Sequence, residues 1–309
     1  MKPINRREFI FFCGQTSLFG FCCSTWLSAC QAIAPVSKIA SQAGIINSKK
    51  AQAIVRSSQA IAKTFEDITP EQEYYIGRTI GAMILSKHKP CNNASANRYI
   101  NLLGRTLAIA SDRPETFGGY HFLILDSNEI NAFAAPGGFI FIARGLFKCC
   151  RHEDALAAVL SHEIGHIQGK HGLKAIENSR LTTALAILGT ETAKAYGGAE
   201  LSRLTDIFEE SISDIFKTMV NKGYSRSQEQ DADSASVAIL KKVGYNPEGL
   251  VDMLKVMEKK LKPGGVDFVK THPSPASRID GVRDQIGKPS EIPMPDNRQN
   301  RFTKVLLSI

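Results

Sequence analysis

Between Ala155 and His166 the chain reads ALAAVLSHEIGH, a run so apolar that it has to be buried, yet it carries two histidines and a glutamate. Its alanines and leucines favour helix, and a helix of this composition packs on most of its faces. Two imidazoles and a carboxylate inside it cost on the order of several kcal/mol unless something satisfies them. The spacing says what can. At about 100° per residue, His162 and His166 lie about 40° apart round the helix and one turn apart along it, so both rings reach one metal ion. Glu163 flanks that line, close enough to take a proton from a water that the ion holds. The competing reading, a solvated His-bearing face that matches HExxH by accident, does not go with the apolar run before it. His152 and Glu153 open a second HE pair, but the fourth position on is Leu156, so that pair reads as the polar start of the helix.

A hydrolytic site of this type needs a third protein ligand and an open fourth position. The longer pattern HExxHxxGxxH almost fits, with Gly169 in the glycine place. Position 172 is Gly172, however, and His171 comes one residue early, which points its ring elsewhere. Two acidic alternatives remain. In SRSQEQDAD, from Ser225 to Asp233, Glu229 and Asp233 stand i,i+4 on one helical face, so one carboxylate can ligate while the other hydrogen-bonds a ligating histidine. Asp231 falls about 200° round that helix and is expected in solvent. The other pair, Glu209 and Glu210, lies beside a stripe of Leu204, Phe208, Ile212, Ile215 and Met219 that reads as core. Spacing puts Glu229 ahead of it.

Two β-prone runs, Tyr120 to Asp126 (YHFLILD) and Phe139 to Arg144 (FIFIAR), are broken by Pro136-Gly137-Gly138 and predict a hairpin or meander. His272 stands between Thr271 and Pro273, where the proline disfavours helix and leaves the histidine on a loop. From there it either reaches the metal's open position in a resting state or stabilises a developing oxyanion in a working one. The plain alternative is packing against a helix over 278–286. His88 and His121 have no partner spacing and read as ordinary surface or strand residues.

Four motifs now stand in order: NAFAAPGGFIFIARGL (Asn131 to Leu146), HEIGH, the ExxxD of SRSQEQDAD, and THPSPASR (Thr271 to Arg278). Together, from about Glu71 to Ile286, they resemble the gluzincin peptidases grouped with the CAAX prenyl endopeptidase and the bacterial HtpX and BepA proteases. The resemblance implies an α+β, mainly helical zincin-type domain with a small β-sheet packed against the HExxH helix. It implies one zinc ion on His162, His166 and Glu229, with Glu163 as general base and Asp233 as the orienting or proton-donating acid. It also implies that the NAFA segment is a strand beside the active-site cleft. A polypeptide substrate could pair with such an edge, making Asn131, Ala132, Phe133, Ala134, Gly137 and Gly138 candidate substrate-binding residues. Without the resemblance, the same segment is equally a turn between core strands. The expected activity is zinc-dependent endopeptidase action on polypeptides. The competing class is an envelope quality-control chaperone or binding protein with a largely plugged metal site. A zinc hydrolase of a small non-peptide substrate goes against the substrate-edge motif.

The N-terminus speaks to location. Lys2, Arg6 and Arg7 precede an apolar run from Phe9 to Phe21 and then Leu27-Ser28-Ala29-Cys30, a signal peptide with a lipoprotein box. That box resembles the bacterial one, which implies lipidation of Cys30 and cleavage before it. Arg6-Arg7 with Glu8-Phe9-Ile10 also resembles a twin-arginine export signal, with Asn5 in place of the usual Ser or Thr. An uncleaved anchor is the alternative. Either way the domain is expected outside the cytoplasm, on the periplasmic side of the envelope, held to the inner or outer membrane. Residues 1–29 are then signal, 30–50 a stalk, 51–288 the metallopeptidase domain and 289–309 a C-terminal tail. Of the cysteines outside this leader, Cys91 could pair with Cys149 or Cys150, leaving an odd thiol. The net charge of +8 is dispersed, which argues against a nucleic-acid partner and suits a surface near anionic headgroups.

Helices are expected over Ala51 to Phe65, from Thr69-Pro70-Glu71 onward, over Asn97 to Ala110, and through HExxH. Further ones are a hairpin from Leu173 to Val220, the Glu229 helix, Pro247 to Leu261, and a short one after Pro275. The apolar stretch Leu181 to Gly189 is too short to cross a bilayer. Lys288 to Asn300, rich in proline and polar residues, is expected to be loose.

Overall fold

The computed structural model describes residues 68–174, 198–260, 272, 275–287 and 295–309, and Thr69 opens the first helix among them. The signal, Cys30, the stalk, the helix expected over Ala51 to Phe65 and the Leu181 to Gly189 stretch lie outside the described residues. Helix α1 (Pro70–Lys87) starts with a capping box: Gln72 N donates to the Thr69 hydroxyl, Thr69 N donates to the Gln72 side chain, and Pro70 fills the first position. Helix α2 (Ala94–Ile109) is capped by Asn93. Its Asn97 and Asn101 reach strand β1 (His121–Leu125), accepting from Ile124 N and Phe122 N, while Asn101 donates to Phe122 O at 2.6 Å. Two amides therefore occupy the strand edge that a sheet otherwise leaves unpaired.

Strands β1, β2 (Ala132–Ala135) and β3 (Phe139–Ala143) form one mixed sheet in the order β1-β3-β2. Phe122 pairs with Ile140 in the parallel β1–β3 ladder, and Phe133 with Phe141 in the antiparallel β2–β3 ladder. This corrects the hairpin expected of YHFLILD and FIFIAR, which run parallel. The hairpin is β2–β3, because Pro136-Gly137-Gly138 reverses the chain directly after Ala135. Residues 126–138 then give β1 a connection long enough to pair with β3's other edge in parallel. Gly137 and Gly138 sit at φ 76° and 99°, a region that favours glycine. The turn is pinned by buried Glu73 of α1, whose Oε1 accepts from Gly137 N at 3.0 Å and whose carboxylate takes paired bonds from Arg113.

After the single turn α3 (Arg144–Phe147) comes α4 (Glu153–Gln168), the HExxH helix. His152 caps it through Nδ1, as a polar helix start should, and every residue from Glu153 to Ile167 is buried. Short α5 (His171–Lys174) and then α6 (Gly198–Lys217) follow, and a π-helical turn, Thr218–Lys222, ends α6. Helices α7 (Arg226–Val243) and α8 (Glu248–Lys260) pack on α4, with the sheet against it as well, and α9 (Pro275–Ile286) lies on α7 and α8. The expected α+β fold, mainly helical with a small sheet on the HExxH helix, is what the chain adopts.

Two expectations are corrected. Asp296–Leu306, which begins inside the stretch Lys288 to Asn300 expected to be loose, forms α10, whose Phe302 is fully buried with its ring 5.9 Å from that of Phe147. Its buried face amounts to Phe302 and Val305, too short a stripe to register as helical periodicity among so many polar residues. Cys91, Cys149 and Cys150 are all buried, and no disulfide joins any two of them. They pack as small apolar groups, and burial pushes the Cys150 thiol well up. No described helix is long and apolar enough to cross a membrane.

Candidate metal centre

A glycine lets the site assemble. A Cβ on Gly165 would lie 2.9 Å from Ala232 Cα and O, so α7 rests on α4 at backbone contact, and Ser236 Oγ ties the two by donating to Ala158 O at 3.1 Å. Ser225 and Gln228 form the capping box that starts α7, which places Glu229 in its first turn, opposite the histidines.

His162 Nε2 and His166 Nε2 are 3.1 Å apart. Glu229 brings Oε2 to 3.5 Å from His162 Nε2 and Oε1 to 3.4 Å from His166 Nε2. His272 Nδ1 donates to Glu229 Oε1 at 2.7 Å and lies 3.5 Å from His162 Nε2. One donor atom from each of His162, His166, Glu229 and His272 falls within 4.8 Å of the others, and all four residues are buried. Nitrogen and oxygen donors converging in this way fit a single divalent ion, and three imidazoles with one carboxylate suit zinc. Beside them both Glu163 carboxylate oxygens are buried without a hydrogen-bond partner among the described residues, and burial raises the pKa of this group. A buried carboxylate left unsatisfied is costly, and its place here fits a group kept for a reacting partner.

Behind these four residues lies a supporting layer. Asp233 Oδ1 is 3.0 Å from His162 Nδ1, and Arg278, itself buried, donates from Nε to Asp233 Oδ2 at 2.8 Å and sets Nη1 2.9 Å from Glu229 Oε2. Burial alone would drive the Asp233 carboxyl up, but the Arg278 charge and the bonds from His162 and Arg278 outweigh it and bring it to about 2. An acid held that low accepts and orients. For Glu229 burial is likewise overcome, by the His272 charge and by bonds from all three histidines, and the carboxyl falls well below the usual range. The Tyr224 ring stacks on His166 with centroids 4.1 Å apart.

The structure thus brings His162, Glu163, His166, Glu229, Asp233 and His272 together. Glu209 and Glu210 are exposed on α6, away from this group, and Asp231 is exposed as its angle on the helix implies. The segment Asn131 to Ala134 runs into edge strand β2, packed against α4 and against the π-helical turn; Asn131, Ala132, Phe133, Ala134, Gly137 and Gly138 are all buried. Sequence reasoning gave no role to Arg278, 116 positions from His162, because no spacing rule links residues so far apart. Tyr224 was missed for the same reason. His171, set aside as a ligand for being one residue early, lies directly behind His166, with Nδ1 2.9 Å from the Nδ1 of that residue.

Residues 94–286 match the sequence description of peptidase family M48. The chain is similar to the beta-barrel assembly-enhancing protease of Escherichia coli K12, with 26% identity over 219 residues, 69% of this chain and 42% of that protein. It is similar to metalloprotease LoiP of the same organism, at 26% identity over 200 residues, 64% of this chain and 73% of LoiP. Mitochondrial metalloendopeptidase OMA1 of Saccharomyces cerevisiae is 28% identical over 168 residues, 52% of this chain and 45% of that one. The match therefore spans less than half the length of the assembly-enhancing protease.

Proposed function

This chain belongs to peptidase family M48 and is by that membership a metalloendopeptidase, and from that premise we propose that it is zinc-dependent and hydrolyses misfolded or unassembled polypeptides in the bacterial envelope. The observation that carries the reading is the convergence of His162, His166 and Glu229 beside a Glu163 carboxylate with no partner of its own among the described residues. Zinc, held by those three residues, would supply Lewis acidity, lowering the pKa of a bound water towards about 7 and polarising the scissile carbonyl. Glu163 takes the proton of the attacking water and hands it to the leaving amide nitrogen. Asp233, backed by Arg278, keeps the His162 ring in its plane. An extended polypeptide would pair with the edge of β2 through its main chain, whatever its sequence, once the contacts that bury that strand open. Envelope location rests on the lipobox-like Leu-Ser-Ala-Cys ending at Cys30 and on similarity to the assembly-enhancing protease.

One observation favours a second, slower reading. His272 is buried within the donor group and bonded to Glu229, as an inhibitory fourth ligand would be. A protein kept mostly in that state would act chiefly by binding its clients. The test is hydrolysis of an unfolded protein by the full-length chain, with and without chelator, in wild type and His272→Ala. The protease reading expects chelator to stop cleavage and His272→Ala to speed it. Cleavage unaffected by chelator would refute the metal mechanism, and slower cleavage by His272→Ala would make His272 an aid to the reaction.

A further inference from the structure

We propose that His171 is a positioning residue for the metal centre, holding His166 in the ring orientation and tautomer that direct its Nε2 at the other donors. This rests on the reading of His162, His166 and Glu229 as zinc ligands. His166 faces two ways: Nε2 towards His162 and Glu229, Nδ1 towards His171 Nδ1 at 2.9 Å. Two ring nitrogens at that distance share one proton, so one must donate and the other accept. A histidine that gives the Nε2 lone pair to a metal keeps its proton on Nδ1, and His171 Nδ1 is then the acceptor.

The backbone is shaped for this contact. Among the described residues Lys170 is the one non-glycine residue at positive φ, 51°. That conformation costs an L-residue energy, and here it turns the chain sharply from α4 into α5, so that the next residue comes back under His166. A Cβ on Gly169 would lie 2.3 Å from His171 Nε2, so a glycine is what leaves the ring its space. His171 is fully buried, and Tyr224 covers a face of His166 by stacking, so the ligand ring is held on two sides. The sequence pattern now has a physical reading: one residue early, the third histidine lies behind a ligand instead of becoming one. A residue present only to fill space would need the ring but no nitrogen at the atom that meets His166.

The test uses full-length wild type, His171→Phe and His171→Asn, titrated with Zn2+ against a competing chelator, with unfolding of each followed in excess chelator. Phenylalanine keeps the ring and removes both nitrogens, whereas asparagine restores an acceptor near the Nδ1 position. The expected result is zinc affinity weakened about 10- to 100-fold in His171→Phe and largely restored in His171→Asn, with unfolding alike for all three in chelator. Should the phenylalanine variant fail to fold, Gly169→Ala, which pushes on the ring, is expected to weaken zinc binding in the same range. Wild-type affinity in His171→Phe, or equal loss in both position-171 variants, would overturn the positioning role. A wild type that takes up no zinc, or a His162→Ala variant that binds it normally, would instead overturn the ligand assignment beneath it.

Discussion

Helix α4 buries a glutamate in each half, and the two could hardly be treated more differently. Glu153, at the N-terminal end, accepts from the Tyr99 hydroxyl at 2.8 Å and the Tyr245 hydroxyl at 2.6 Å and pairs with Arg301. Glu163, less than three turns on, has neither oxygen bonded to any described residue. Both are essentially inaccessible. Burial therefore does not tell the two acids apart, whereas the bonding of their oxygens does. The three groups round Glu153 come from α2, the second residue after α7, and α10, so one carboxylate ties distant parts of the chain to α4. Glu163 ties no described residue, which supports the proposal that the helix keeps it for the reaction at a cost to stability.

The largest expected effect sharpens this contrast. Glu163→Gln in the full-length protein should retain zinc and lower the rate of peptide hydrolysis by about 10²- to 10⁴-fold. Glu153→Gln, assayed where it is folded, should cleave near the wild-type rate. Comparable loss in both variants would erase the distinction. Next comes metal content: Glu229→Ala should lose the zinc, while Glu209→Ala and Glu210→Ala keep it, as read by metal analysis of the purified proteins. Full zinc in Glu229→Ala would move the third ligand elsewhere.

On stability the order reverses. Glu153→Ala strands two buried tyrosine hydroxyls and an arginine, and should cost about 2–4 kcal/mol in denaturant unfolding. Arg301→Ala should cost only about 1 kcal/mol, because that side chain is half exposed and its charge is screened. The smallest effect is on acid stability. Burial would raise the Glu153 carboxyl, but bonds from Arg301, Tyr245 and Tyr99 bring it below its ordinary value. A carboxyl lower in the folded than in the unfolded state contributes fully above the ordinary carboxylate range, and that contribution fades as pH falls through the lowered folded value. Glu153→Gln should therefore show a shallower loss of stability below about pH 4 than wild type. Parallel curves would mean that Glu153 is not the group responsible.

How much of this could be read beforehand depended on range. His162, Glu163 and His166 lie within one turn of one helix, and Glu229 and Asp233 within one turn of another, so helical spacing alone exposed both halves of the centre. What joins the halves, the Gly165–Ala232 contact and the Arg278 bridge, depends on how helices pack and leaves no local periodicity. The strands were legible as strands, but their pairing was not, since direction follows from where Pro136-Gly137-Gly138 reverses the chain. α10 escaped because two buried residues do not make a stripe. Glu153 was recognised as the polar start of a helix, yet its partners Tyr99, Tyr245 and Arg301 come from three separate segments and are invisible to spacing.

The division of labour on α4 is tested most directly by the unfolding midpoint of the full-length, metal-stripped protein carrying Glu163→Leu, set against Glu153→Leu. Leucine is close to glutamate in volume and asks for no hydrogen bond, so replacing an unsatisfied buried acid should leave the midpoint unchanged or raise it, whereas replacing a bonded one should lower it. We expect Glu163→Leu to unfold at or above the wild-type temperature and Glu153→Leu clearly below it. A Glu163→Leu protein destabilised as much as Glu153→Leu would show that Glu163 supports the fold, and the account of it as the acid held for chemistry would be wrong.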